Sequence, residues 1–215
     1  MGSIAPWLAV RGFRTTRTRL FDGDDLPAST DFDWLVVMGG PMNIYQHDRY
    51  PWLIHEKALI RDACVKNKRV LGICLGAQLL ADVLGGRVNR NAHEEIGFFD
   101  LQLTEEGSKS HILSGMTSPV PAFHWHEDTY ALPPGCVSLL KSDACVNQAF
   151  TDGSLRLGLQ FHWEVTHADA MRWLDSDAPA PGGFVQSRDE MLRLPERYAG
   201  NNRLMSRLLD NFIAA

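Results

Sequence analysis

The chain has 215 residues, 45% of them hydrophobic and 22% charged, with a net charge of −5 at pH 7. A chain of this size and composition holds a sizeable core without disulfide staples, and 21 Lys and Arg against 26 Asp and Glu leave no basic excess for binding nucleic acid. No apolar run reaches the roughly 18 residues of a membrane span, and the first residues lack a basic then apolar leader, so a cytoplasmic protein that binds no membrane is expected.

With no internal repeat, low-complexity tract or linker, 1–215 is expected to form one domain. Ile4, Leu8 and Val10 predict a first helix, followed by a strand over 14–20. Trp34-Leu35-Val36-Val37-Met38 and Val70-Leu71-Gly72-Ile73 are short and apolar at every position, as buried parallel strands are. Between them Leu53, Ile54, Ala58, Leu59 and Ala63 recur at helical spacing behind Pro51, which makes a strand–helix–strand crossover unit. A helix over 75–84 stops at Gly85-Gly86. Beyond it, strand-like runs at 96–103, 120–123, 137–140, 145–150 and 155–161 are separated by turn residues, so the second half is expected to be strand-rich and partly antiparallel. A short helix over 166–174, a Pro/Gly-rich loop over 178–183 and a long amphipathic helix over 188–213 complete an α/β domain. Cys64, Cys74, Cys136 and Cys145 contain no Cys-x-x-Cys pair and are expected to be free thiols.

The chemistry concentrates in Gly72-Ile73-Cys74-Leu75-Gly76-Ala77-Gln78. A strand ends and a helix begins at Cys74, with glycine two positions to each side, the arrangement of a nucleophile elbow with sulfur in place of oxygen. Backbone N–H groups at a helix start favour the thiolate, the reactive form. Gln160-Phe161-His162-Trp163-Glu164 ends another apolar strand and supplies a base, His162, with a carboxylate, Glu164, two residues on to orient it. Met38-Gly39-Gly40-Pro41 follows a third strand, so Gly40 N–H and Leu75 N–H are the candidate oxyanion hole.

Together these three stretches resemble the class I glutamine amidotransferases, in order and in approximate spacing. The resemblance extends to the stand-alone branch similar to the amidotransferase domain of GMP synthase, through the stretches 38–52, Glu95-Ile96-Gly97-Phe98, His124-Trp125-His126-Glu127-Asp128 and Asn147-Gln148-Ala149-Phe150. It implies a flavodoxin-like, mostly parallel sheet flanked by helices, with an added antiparallel strand region. It also implies that Cys74, His162 and Glu164 form a catalytic triad cleaving the side-chain amide of glutamine through a γ-glutamyl thioester. Gln78 matches a glutamine-contacting position and the segment from His126 to Thr129 the amino-acid end of the pocket, so Gly39, Gln78, His126 and Asp128 are the substrate-binding candidates. On residue chemistry alone, Gln78 is equally an exposed helix residue.

Two departures stand out. The family's first strand is missing, which implies either a start downstream of the natural one or repair of the gap by association. Trp163 occupies a position where many members carry Pro, which is read as a shift in substrate rather than a loss of chemistry. His124 and His126 share a strand face, but a thiolate with its own base has no use for a Lewis acid, so no metal and no cofactor are expected. His93, Glu94 and Glu95 read as a solvated loop, and Trp7, Trp34, Trp52 and Trp173 as core or docking residues. Three functions fit this pattern: a glutaminase subunit delivering ammonia to a separate synthase chain, a free-standing γ-glutamyl hydrolase acting on conjugates, and a non-catalytic regulatory homologue. Exposed apolar residues on the terminal helices are compatible with a homodimer.

Overall fold

The computed structural model describes residues 1–214. Helix α1 (Ile4–Val10) is followed by β1 (Trp34–Val37), α2 (Trp52–Val65), β2 (Arg69–Ile73) and α3 (Leu75–Val83). Then come β3 (Val88–Leu103), α4 (Glu105–Lys109), β4 (Val120–Tyr130), β5 (Val137–Lys141), β6 (Ala149–Thr151) and β7 (Arg156–Leu159). Helices α5 (His167–Ser176), α6 (Arg188–Leu192) and α7 (Pro195–Ile213) complete the order. Among the described residues no helix is long and apolar enough to cross a membrane.

One mixed sheet of seven strands runs β1-β2-β7-β6-β5-β3-β4. β2 pairs in parallel with β1 and with β7, and the other four pairings are antiparallel. The parallel part is thus the three-strand end, and the antiparallel region is larger than the strand–helix alternation of the first half predicts.

Strand alternation sends side chains to two cores. Leu71, Ile73, Leu157 and Leu159 face Ile4, Trp7 and Leu8 of α1 and Met205, Leu208, Leu209 and Phe212 of α7. Val70 and Phe150 face the opposite layer, with Leu53 and Ile60 of α2 and Leu79 and Leu80 of α3. A third cluster packs Ile96, Phe98 and Phe123 of the β3–β4 ribbon against Ala170, Leu174 and Tyr198.

Three local expectations are corrected. Residues 14–19 run without regular structure instead of forming a strand, because a strand needs a ladder partner and β1, the edge of the sheet, pairs only with β2. Trp34 at the start of β1 is instead surrounded by Trp7, Phe13 and Phe212, with ring centroids 5.8–6.2 Å away. The long final helix is two helices, since Pro195 lacks an N–H and restarts the helix at its first position. The strand expected over 145–150 is confined to β6, Ala149–Thr151.

Candidate active site

The three sequence stretches that promise chemistry leave the carboxyl ends of three adjacent parallel strands. Gly39 and Gly40 follow β1, Cys74 follows β2, and His162 and Glu164 follow β7. Open α/β sheets bind ligands at this edge. A Cβ built on Gly39 would lie 3.3 Å from both Cys74 Cβ and His162 Cε1, which puts this loop directly over the pair.

Cys74 has φ 51° and ψ −108°, a conformation that L residues rarely adopt. Its N–H donates to the Leu159 carbonyl at 2.7 Å and its carbonyl accepts from Gln78 N–H at 3.1 Å, so β7 on one side and α3 on the other hold the bend. The turn is tight enough that a Cβ on Gly72 would sit 2.4 Å from the Gly76 carbonyl oxygen, and one on Gly76 would sit 2.1 Å from that of Val37. Cys74 is 8% exposed, and its thiol lies 3.7 Å from the Trp125 carbonyl oxygen and 3.7 Å from Gln160 Nε2. Burial pushes the thiols of Cys64, Cys136 and Cys145 up, to about 11 at Cys136.

His162 and Glu164 are buried on the same side of their segment. His162 Nδ1 donates to Glu164 Oε1 at 2.8 Å, leaving Nε2 for the thiol. Burial by itself lowers the imidazole pKa, but the Glu164 charge and the hydrogen bond to Cys74 overcome it and raise the value from 6.5 to about 10. A raised folded-state pKa contributes stability that is fully present below pH 6.5 and is lost as the pH rises through about 10. Glu164→Gln removes the largest raising contribution and leaves burial opposed only by Cys74, so the His162 titration followed by NMR is expected to move down. An unchanged titration would show that Glu164 does not set the charge of His162.

Gly40 and Leu75 are neighbours, a Cβ on Gly40 falling 3.1 Å from Leu75 Cδ2. Leu75 is the first residue of α3, so its N–H has no partner within the helix. Gln78 is buried rather than exposed: its Nε2 donates to the Asp128 carbonyl at 3.3 Å and to Gln160 Oε1 at 3.2 Å. The Asp128 carboxylate accepts from Asn43 Nδ2 at 2.6 Å. Asn43 and Gln160 lie in stretches that carry the resemblance but had no role of their own; in the structure Gln160 joins Gln78 to the thiol. Trp173 packs edge-on against the His162 ring at 5.1 Å and against Trp125 at 5.7 Å, so it belongs to the wall of the site.

Two readings change. Trp163 is fully buried, packs on Phe161 at 4.7 Å and donates to the Pro121 carbonyl at 3.0 Å, so it points away from the thiol and cannot alter substrate choice by contact. Glu95 is not in a solvated loop. The β3–β4 register shifts between Arg90 and Glu95, which turns His93 and Glu94 outward and buries the Glu95 carboxylate. Glu95 Oε2 lies 3.1 Å from His126 Nε2 and accepts from Gln148 Nε2 at 2.5 Å. His126 Nδ1 donates to the Asp128 carbonyl at 3.1 Å, so its ring faces Glu95 and not the thiol. Burial raises the Glu95 pKa, but the bond from His126 and the nearby imidazoles outweigh it and hold the carboxylate below its ordinary range. Burial takes His124 down to about 4, against the opposing pull of the Glu95 charge.

The chain is similar to several known proteins. The chain is 31% identical over 216 residues to the glutamine amidotransferase-like protein YfeJ of Salmonella typhimurium, covering 99% of this chain and 90% of that protein. It is 34% identical over 155 residues to a glutamine-hydrolyzing GMP synthase subunit of Natronomonas pharaonis, covering 71% of this chain and 77% of that relative. A crystal structure of a glutamine amidotransferase from Methylobacillus flagellatus superposes with a TM-score of 0.90 at 34% identity, covering 99% of this chain and 89% of that one. Residues 5–177 match the glutamine amidotransferase class-I family as a whole, and the chain belongs to that family.

Proposed function

We propose that the chain hydrolyses the side-chain amide of glutamine at Cys74. The observation that carries this reading is the strained Cys74 at the β2–α3 junction with the His162–Glu164 pair beside it. In the proposed cycle the Cys74 thiolate attacks the amide carbonyl carbon, and the developing oxyanion takes the N–H groups of Gly40 and Leu75. The imidazolium of His162 passes its proton to the amide nitrogen, the C–N bond breaks, and ammonia leaves a γ-glutamyl thioester on Cys74. His162, now neutral, takes a proton from water as the water adds to the thioester carbonyl. Collapse breaks the C–S bond and releases glutamate, restoring the thiolate–imidazolium pair.

In this reading Gln78 and Asp128 contact the amino-acid end of the substrate, Gly39 lies over the reacting amide beside Cys74 and His162, and His126 acts by holding the Asp128 carbonyl in position. Relatives named as GMP synthase subunits favour an ammonia acceptor on a separate synthase chain. The test is turnover by the purified chain of glutamine and of a panel of γ-glutamyl amides and peptides. Slow glutaminase activity that rises with a synthase partner supports the subunit role. Rapid cleavage of a γ-glutamyl conjugate by the chain alone establishes the free-standing hydrolase instead, and no turnover of any γ-glutamyl compound overturns both.

A further inference from the structure

Behind the pocket wall, Glu95, His124 and His126 bring one carboxylate oxygen and two imidazole nitrogens within 4.8 Å of one another. All three side chains are at least 97% buried. We propose that these residues form a binding site for a divalent transition-metal ion of the zinc type, held by Glu95, His124 Nδ1 and His126 Nε2.

The spacing of the carboxylate from each imidazole fits this role. Ligands at the ~2.0–2.1 Å bond lengths of tetrahedral zinc lie about 3.4 Å apart. Here Glu95 Oε2 is 3.1 Å from His126 Nε2 and 3.5 Å from His124 Nδ1.

The tautomers fit as well. A carbonyl oxygen can only accept, so the Asp128 carbonyl keeps a proton on His126 Nδ1, and Nε2, which donates to the Glu95 carboxylate, is the nitrogen an ion would take by displacing that proton. Ligating histidines are held in this way, with the second ring nitrogen bonded to a backbone carbonyl. On His124 neither ring nitrogen has a partner at hydrogen-bond geometry, although the Phe99 backbone lies close to the ring. Glu95 Oε1 and Gln148 Oε1 are also buried without partners. Such orphaned atoms are costly in a buried network, and a cation drawing on their lone pairs removes the cost. Turning the Gln148 amide over would bring its oxygen into the same ring of donors, because Gln148 Nε2 lies 3.5 Å from His126 Nε2.

Two imidazoles and a carboxylate are the nitrogen and oxygen set that suits zinc and its neighbours in preference to calcium or magnesium. Bound there, the ion would brace β3 against β4, whose Trp125 carbonyl lies against the Cys74 thiol. It takes no part in the proposed hydrolysis.

The test is metal binding by the full chain, stripped with a chelator and titrated with Co2+ and then Zn2+. The expected result is one Co2+ per chain with a nitrogen–oxygen ligand-field spectrum, displaced by Zn2+. Binding should be unchanged in Cys74→Ala and lost in Glu95→Gln and His124→Ala variants whose circular dichroism is native. A thiolate-to-cobalt charge-transfer band, binding that disappears in Cys74→Ala, binding that survives both Glu95→Gln and His124→Ala, or no saturable binding would each overturn the proposal. Should the ligand variants fail to fold, the wild-type stoichiometry and spectrum decide between these outcomes.

Discussion

Cys74→Ala is expected to lower glutamine hydrolysis at least ~10^4-fold, read as ammonia release by the purified chain, because removing a nucleophile removes the whole covalent route. The loss should fall on kcat, since the side chains placed to hold the substrate are untouched. Full turnover in this variant would end the thioester reading. The same position also tests strain. A residue with a Cβ at φ 51°, ψ −108° carries a cost of order 1–3 kcal/mol that glycine avoids. Cys74→Gly should therefore be more stable than Cys74→Ala in chemical denaturation, although both lack the thiol. Equal midpoints would mean that the bend stores no strain. The conformation is imposed from both sides, by the Leu159 carbonyl and by the first turn of α3, and it sets the thiol where His162 meets it.

The largest stability effect is expected at Gly76. An added Cβ would meet the Val37 carbonyl oxygen at 2.1 Å and the Val37 carbonyl carbon at 2.7 Å, both backbone atoms of a strand that cannot turn aside. Gly76→Ala must push α3 off β1, at a cost of about 3 kcal/mol, the upper end for overpacking. The denaturation midpoint should fall without a change in slope. Activity should fall further than stability alone requires, because displacing α3 moves the Leu75 N–H away from Gly40. Gly72→Ala is the companion case, its Cβ meeting the Gly76 carbonyl oxygen at 2.4 Å. A variant at either position with wild-type stability would show that strand and helix do not need the close approach.

The elements with strong local signals were legible in the chain. Leu53 to Ala63 repeat at helical spacing and form α2, and the all-apolar runs around Val36 and Leu71 form the parallel strands β1 and β2. Their hydrophobic faces are written in consecutive residues, so no distant partner is needed to recognise them. The segment 14–20 shows the converse. Its composition allows a strand, but a strand exists only against a ladder, and the edge of this sheet supplies none. Likewise the extension of β3 and β4 into a long ribbon, Val88–Leu103 against Val120–Tyr130, depends on cross-strand pairing that neither segment announces alone.

The candidate site divides along the same line. Cys74 between two glycines, Gly39-Gly40 after a strand, and a histidine two residues before a glutamate are local patterns with a local steric or electrostatic reason, and residue order alone pointed to them. Asn43 and Trp173 have no such pattern, and they and the Gln160 side chain enter the site only through contacts. The direction of each side chain was also beyond the linear chain. Strand alternation and packing send Trp163 into the core while His162 faces the thiol, and a shift in register buries Glu95 against His126. By itself, then, the sequence determined the family and singled out the residues proposed here as nucleophile and base, because their patterns lie in immediate neighbours. Which polar groups are buried together, and what they can therefore hold, was decided only when the sheet brought residues 95, 126 and 148 into one place, since burial and ligand spacing are properties of the packed chain.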